Sequence, residues 1–377
     1  MTRQTIRVGI IGTGRISDLH AIEYIQNPFS QITALCDQDL NLAKARAEKW
    51  GCLDAAVTND CEDILARDDV DLVELLLPHN LHLPIALKAI KAEKIVSLQK
   101  PMCINLEEAD QLVAAAEASP KPFKVFENFI FHPPVMKAKA LIDEGAIGEP
   151  LSIRIKSNSG KGKTAWEIPK SADAWRQDKE ASGGGPLVFD DGHHKFALAW
   201  YFMGNPEEVH SFIHHTQRQD GGFLDAPSLI SFRFQNGKIG NLEVVYSPEL
   251  EISGYYYAQD DRVEITGTHG IIWINGGHGR IGETPPLVLY SKSNITEYRD
   301  VAMGWEQSFI QSTRHFLNVL KDGGEPMLTA RQGRQVLNLP WQQKNRPTKG
   351  NQLDCRRSCH ELIARSSRNP RKKSKMV

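Results

Sequence analysis

Over the first 125 positions, apolar residues fall into short unbroken runs, each followed by a polar turn and a segment with helical spacing. "IRVGII", "QITALCD", "DLVELLL" and "KIVSLQ" are such runs, and "HLPIALKAIKA" and "LEEADQLVAAAEA" are two of the helical segments. Strands that do not alternate with polar residues are buried on both faces, as in a parallel sheet covered by helices. The pattern predicts an α/β Rossmann domain, a doubly wound parallel sheet over residues 1–124.

After residue 125 the rhythm changes. "FENFIFHPPVMKAKALIDEGAIGEPLSIRIKS" reads as a crossing strand, a helix from about Pro134 and a new strand from Leu151. "EEVHSFIHH", "SLISFRFQNGKIGNLEVVYS", "DRVEITGTHGIIWIN" and "LVLYS" then read as strands joined by turns, and "QNGK" is a hairpin signal. "WEQSFIQSTRHFLNVLKDGGEPMLTARQGRQVLNL" predicts two amphipathic helices, the second ended by Pro340. A second, α+β domain over residues 125–339 follows from this.

Composition adds four constraints. The length, 377 residues, exceeds what one core usually holds, so two domains are expected. No apolar run reaches a membrane span, and "MTRQTIRVGIIG" leads into a glycine turn rather than a cleavage site. Six scattered cysteines suit a reducing, cytoplasmic setting. The net charge of −1 conceals a basic tail with 11 Lys+Arg and 2 Asp+Glu from Pro340 onward, so the rest of the chain offers no basic footprint for nucleic acid. "PWQQKNRP" has a reverse translation that, read one nucleotide out of frame, continues the preceding helix as Ala-Met-Ala-Ala-Lys-Lys-Ser-Ala. Residues 340–377 therefore read as a frameshift product without native function; the alternatives are a basic nucleic-acid tail or a localisation signal, which "RKKSK" superficially fits. Cys355, Cys359 and His360 in "CRRSCH" lack a fourth metal ligand nearby.

The first run ends in "GIIGTGRIS", with Gly12, Gly14 and Ser17 at the G-x-G-x-x-G positions. Gly12 permits the tight turn, and Gly14 lets the backbone approach a pyrophosphate. Asp37 ends the second strand, where an acid accepts from a ribose 2′-hydroxyl and repels a 2′-phosphate, favouring NAD over NADP. Ligands in such sheets sit beyond the C-terminal strand ends. Two of those ends carry "PHNLH" (Pro78, His79, Asn80, His82) and Gln99-Lys100-Pro101. Pro101 biases Lys100 toward an extended conformation at the strand end. A cation there can meet both a nicotinamide and a substrate hydroxyl.

With "GIIGTGRIS", Asp37, "PHNLH", "QKP" and a later D-x-G-x-H, the chain resembles the glucose–fructose oxidoreductase/inositol dehydrogenase family (Gfo/Idh/MocA) over most of residues 6–340. The resemblance implies an open, mostly antiparallel sheet in the second domain. It also implies NAD(P)-dependent redox chemistry at a carbon of a sugar, polyol or related molecule. A homo-dimer or homo-tetramer through that sheet is implied as well. The family's E-K-P lysine corresponds to Lys100, and its D-x-G-x-H aspartate and histidine correspond to Asp190 and His194. Gln99 departs from the family's usual Glu, and loss of that anion is expected to ease deprotonation of Lys100.

"VFDDGHHKF" reads as a helix on which Asp190 and His194 share a face. His194 is the expected general base, Asp190 orients the substrate or the imidazole, and Lys100 stabilises alkoxide charge. A Zn or Mn site is the competing reading. Adjacent helical residues diverge too far for Asp190, Asp191, His193 and His194 to converge on one ion, so no metal is expected. A polar helix start without chemistry is the third. The expected cofactor contacts are Gly12, Gly14, Arg15, Ile16, Asp37, Pro78, His79, Asn80, His82 and Lys100. The expected substrate contacts are Glu127, Asn128, Trp166, Trp175, Arg176 and His193, the tryptophans being equally suited to plug the domain interface. Two other functions fit the same sequence: a glycoside-processing enzyme that oxidises transiently with tightly held NAD, and a non-catalytic NAD(H)-binding sensor.

Overall fold

The computed structural model describes residues 5–344 apart from 163–165, 167–168, 219–220 and 255. The first part alternates β1 (Ile6–Ile11), α1 (Ser17–Gln26), β2 (Ser30–Cys36), α2 (Leu40–Trp50), β3 (Ala56–Thr58), α3 (Cys61–Leu65), β4 (Leu72–Leu75), α4 (His82–Lys91), β5 (Ile95–Gln99), α5 (Leu106–Ala118) and β6 (Phe123–Phe126). These strands form one parallel sheet in the order β3-β2-β1-β4-β5-β6. The order reverses between β1 and β4, which opens a crevice beyond their C-terminal ends. Gly12, the first residue after β1, has φ +97°, and a Cβ there would lie 2.2 Å from the Leu76 carbonyl oxygen. Only glycine satisfies both conditions.

Helix α6 (Pro133–Asp143) leads into β7 (Pro150–Lys161), α7 (Lys170–Gln177), α8 (Lys179–Ser182) and α9 (Gly192–Met203). The segment around Trp175, expected as a polar loop, is thus partly helical. Then come β8 (Pro206–Ile213), β9 (Ser228–Phe234), β10 (Ile239–Glu251), β11 (Gln259–Gly267), β12 (Gly270–Asn275), β13 (Leu287–Ser291) and β14 (Asn294–Tyr298). The main path of the second sheet is β14-β13-β12-β11-β7-β10-β9-β8. Only the β7–β10 pairing on that path is parallel. Asn236 (φ 65°) and Gly237 (φ 76°) make the β9–β10 hairpin where "QNGK" predicts it. Ile153, Ile155, Phe232, Leu242 and Ile265 fill the sheet's inner face. Helix α9 packs on β7, with α11 (Ala330–Lys344) also against it. It is apolar almost all round, as a helix enclosed on every side must be.

The last two helices cross back to the first domain, which the apolar pattern alone does not show. Phe316 and Leu317 of α10 (Trp305–Asp322) join Val8, Ile10 and Tyr24 in one core, and Arg314 forks onto Glu23. Helix α11 lies on α5, with Arg331 on Glu117 and Arg334 on Asp110. It also runs past Pro340 to Lys344, so the expected stop is corrected. Proline removes one backbone hydrogen bond and crowds the preceding turn. Buried Val336, Leu337 and Leu339 hold that turn in place. The basic stretch after Lys344, with Cys355, Cys359, His360 and the proposed frameshift, lies outside the described residues.

The chain enters α9 through a π-helical turn, Pro186–Asp190, and not through regular helix. Buried Asp225 accepts from Leu187 N at 2.8 Å and Val188 N at 2.9 Å, satisfying two donors that a helix start leaves unpaired. Replacing Asp225 by Ala strands both donors. Urea unfolding of Asp225→Ala is expected to show a loss of about 2–4 kcal/mol. A loss below about 0.5 kcal/mol would show that this contact does not hold the turn.

Candidate active site

The glycine turn after β1 is braced by Asp37. Its Oδ2 accepts from Thr13 N at 2.7 Å and from Thr13 Oγ1 at 3.1 Å, and its Oδ1 accepts from Asp39 N at 3.0 Å. A carboxylate offers about four acceptor positions, so capacity for a ribose diol remains. Among the described residues nothing lies within 4 Å of where a Gly14 Cβ would stand, and Ser17 Oγ donates to Gly14 O at 2.6 Å, folding the third motif position inward. Close backbone at Gly12, open space at Gly14 and the N-terminus of α1 beside them fit a dinucleotide pyrophosphate.

At the end of β5, Lys100 Nζ donates to Asp190 Oδ1 at 2.7 Å and to Asp190 O at 2.9 Å. Arg176 Nε donates to Asp190 Oδ2 at 2.9 Å. Burial opposes ionisation of Asp190, but Lys100 and Arg176 outweigh it and hold the carboxyl well below the usual range. This corrects two expectations. Asp190 orients Lys100 and Arg176, not His194. Lys100 also does not lack a carboxylate through the Gln99 departure, because Asp190 supplies one. Gln99 instead ties two groups together. Its Oε1 accepts from Lys100 N at 2.8 Å, and its Nε2 meets His20 Nε2 at 2.8 Å. His20 Nδ1 meets buried Glu74 at 2.8 Å, which also accepts from Tyr24 Oη at 2.7 Å. Read with the amide as placed, His20 accepts at Nε2 and donates from Nδ1, a neutral ring.

His194 sits in the first turn of α9 with Nδ1 2.6 Å from Glu127 Oε1. Glu127 Oε1 also accepts from Phe129 N at 2.8 Å, and Oε2 meets His193 Nδ1 at 3.2 Å. Burial penalises the Glu127 charge, yet His194 and His193 hold the carboxyl well below its usual range. A fixed anion at Nδ1 keeps the proton there and leaves Nε2 as the acceptor. Burial pushes the His194 pKa down to about 4, with Glu127 opposing, so the ring is neutral at pH 7. It stacks on Phe129 with centroids 4.3 Å apart.

Several predicted contacts have other places. Glu127 is fully buried beneath the two histidines and does not line the crevice. Asn128 is buried and donates to Ser308 Oγ at 2.8 Å, fastening α10. His193 is buried with Nδ1 toward Glu127 and so stands behind the site. His79 is buried between Ser182 O, 2.7 Å from Nδ1, and Asp190. His82 is fully buried with Nδ1 2.7 Å from Pro101 O and Nε2 2.9 Å from Leu77 O. Burial pushes its pKa down to about 4, while the two carbonyls oppose that shift, since both are satisfied only by two N–H groups. The reason for both misplacements is the same: the "PHNLH" turn folds under α8 and keeps Pro78 half-buried and Asn80 outside. Arg15 extends from the glycine turn to Tyr257 Oη at 2.6 Å and lies over Trp166, 4.7 Å from its ring centroid. Ile16 is half-buried at the start of α1. Trp166 packs among Tyr256, Tyr257 and Trp305, and Trp175 between His79 and the Arg176 guanidinium.

Sequence reading missed a second cluster behind His194. Lys195 is fully buried, with Nζ 2.7 Å from Asp191 Oδ2 and 3.4 Å from Asp261 Oδ1. Burial works against its charge, but the two aspartates raise its pKa. Gln259 Nε2 donates to Asp191 Oδ2 at 2.8 Å. Of the four residues weighed as metal ligands, Asp191 and His194 come together, and with His278 each brings one ligand atom within 4.8 Å of the others. Nothing in the sequence ties His278, in the "NGGHGR" turn, to α9.

Comparison with known proteins agrees with both halves of this architecture. The oxidoreductase family Gfo/Idh/MocA matches as an NAD-binding Rossmann fold over residues 6–127 and as a C-terminal alpha/beta domain over 139–339. Myo-inositol 2-dehydrogenase of Thermotoga maritima is 25% identical over 352 residues, 90% of this chain and 95% of that protein. D-glucoside 3-dehydrogenase of Escherichia coli is 29% identical over 229 residues, 59% of this chain and 62% of its own length. Levoglucosan dehydrogenase in complex with NADH and levoglucosan has the same fold, with a TM-score of 0.76 at 24% identity, covering 89% of this chain and 95% of that one. An oxidoreductase from Agrobacterium radiobacter, in complex with NAD+, L-tartaric acid and magnesium, reaches 0.78 at 20% identity over 92% of this chain and 98% of that one. Two matched domains in the same order, which together span most of the chain, place it in the Gfo/Idh/MocA family of NAD-binding oxidoreductases.

Proposed function

We propose that the protein transfers hydride between a nicotinamide and a carbinol carbon of a sugar or polyol, with His194 as the group that moves the hydroxyl proton. The observation that carries this reading is the 2.6 Å contact between His194 Nδ1 and buried Glu127. It leaves a neutral imidazole with Nε2 available as acceptor. When bound, NAD supplies the hydride acceptor. Lys100 holds the substrate oxygen as negative charge develops on it, and Asp190 fixes the position of the ammonium. Arg176 is committed to Asp190 and Ala172 O, so it positions the clamp and does not meet a substrate first. Trp166, with Tyr256 and Tyr257 beside it, offers an apolar wall of the kind the C–H face of a sugar ring fits.

A homo-oligomer through the outer face of the second sheet is part of this reading. Phe212 (79% exposed), Leu229 and Ile239 stand on that face, and Phe212 pairs with Leu229 across β8 and β9. The unpaired cysteines Cys36, Cys52, Cys61 and Cys103 support a reducing, cytoplasmic setting. Among the described residues no helix is long and apolar enough to cross a membrane.

Two experiments check the assignment. In titrations followed by energy transfer from the tryptophans, the protein is expected to bind NADH more tightly than NADPH. Asp37→Ala should narrow that preference, because it removes the carboxylate facing a 2′-phosphate. An unchanged ratio would dissociate Asp37 from cofactor choice. In the second, His194→Ala is expected to lower kcat by about 10²–10⁴-fold with NADH affinity nearly intact. Glu127→Gln should lower kcat as well, by about 10²-fold or more, since an amide can donate to Nδ1 and invert the tautomer. Parallel losses of turnover and NADH affinity in both variants would indicate a structural role only.

A further inference from the structure

His278 is buried (6% exposed), and its Nδ1 has no hydrogen-bond partner among the described residues. That nitrogen stops 3.7 Å from Asp261 Oδ2, itself a buried oxygen without a partner among them. The ring packs on Trp305 at 4.5 Å, Tyr257 at 5.0 Å and Phe129 at 5.1 Å between centroids. Phe129 therefore has His194 stacked on one side and His278 tilted against it, with the two imidazole centroids 6.1 Å apart. Glu127 bonds directly to His194 Nδ1 at 2.6 Å, whereas Asp261 faces His278 Nδ1 without reaching it. Leaving a buried ring nitrogen without a hydrogen bond is costly unless a ligand completes it.

From this pairing we propose that His278 and Asp191 form a subsite for a second substrate hydroxyl, on the carbon next to the one that reacts, so that the substrate is a vicinal diol. The proposal rests on the oxidoreductase reading of the same site. One ring nitrogen from each histidine and one Asp191 oxygen lie within 4.8 Å of one another. A hydroxyl hydrogen bond reaches about 2.8 Å, so two oxygens on adjacent carbons can meet the three atoms together. A hydroxyl both donates and accepts, which suits a carboxylate beside an imidazole. The same atoms could hold a divalent cation. However, the Lys195 ammonium already lies 2.7 Å from Asp191 Oδ2 and touches Asp261, so a metal would add a second positive centre to one carboxylate. A neutral hydroxyl meets no such repulsion.

The test uses His278→Phe, which keeps a ring against Trp305 and removes both nitrogens; a thermal melt and an NADH titration confirm its fold and cradle. Methyl D-glucopyranoside and its complete set of monodeoxy analogues are titrated against the NADH complexes of wild type and variant by tryptophan fluorescence, and assayed for turnover with NAD+. Wild type is expected to lose about ten- to hundredfold in binding and in kcat/KM for one analogue that retains the reacting hydroxyl but lacks its neighbour. His278→Phe should bind the parent sugar and that analogue equally. Turnover of parent and analogues at equal rates by wild type, or a preference that survives in His278→Phe, overturns the subsite and leaves the oxidoreductase reading standing. Diol-selective binding erased in the variant, without turnover, sustains the subsite and overturns the redox reading. Absence of saturable sugar binding by wild type that binds NADH overturns the subsite. So does stoichiometric Zn or Mn in the purified wild type that His278→Phe lacks.

Discussion

Everything proposed for this site depends on one buried anion. Glu127 lies at the end of the first domain's last strand with no contact to water, beneath the first turn of α9. An isolated carboxylate in such a place would take up a proton. This one is held ionised by two imidazole N–H groups and the Phe129 amide. The same contacts fix the tautomer of His194 and bind the second domain's central helix to the first domain. Stability and chemistry thus share one interaction, and His194 cannot be reoriented without unpairing a buried charge.

Around that anion the other buried carboxylates are each held by separate ion pairs or hydrogen bonds. Lys100 and Arg176 share Asp190, Lys195 is shared by Asp191 and Asp261, and Glu74 takes His20 and Tyr24. These partners come from separate elements of the fold, so the crevice is preorganised before any ligand enters. Gln99 links two of these groups, reading the neutral His20 with its amide nitrogen and holding the Lys100 backbone with its oxygen.

Much of the fold is legible along the chain because burial on both faces of a parallel strand leaves an unbroken apolar run. Gly12 and the Asn236-Gly237 turn are legible for the same kind of reason, since positive φ admits few residues. The return of α10 and α11 to the first domain is not, because an amphipathic face says that a helix packs but not on what. The π-helical turn before α9 is not either: its single extra residue leaves the apolar spacing on either side intact. For the site, Lys100, Asp190 and His194 are visible through motif spacing. Their partners Glu127 and Arg176 are not, because the tertiary fold brings them there, as it brings Asp261 to Lys195 and His278 to His194. A strand end points Glu127 toward the crevice, but the side chain turns back under α9, where two imidazoles and an amide satisfy it.

The most direct measurement is the protonation of His194, read from the ring nitrogen signals of the protein labelled with 15N-histidine and assigned by comparison with His194→Gln. The expected result is a neutral ring with its proton on Nδ1 at pH 7, unchanged as the pH falls through the ordinary histidine range near 6.5 and protonating toward about 4. A ring protonated at pH 7, or a neutral ring with its proton on Nε2, would contradict the assigned role, because neither leaves a nitrogen in the crevice able to take the hydroxyl proton.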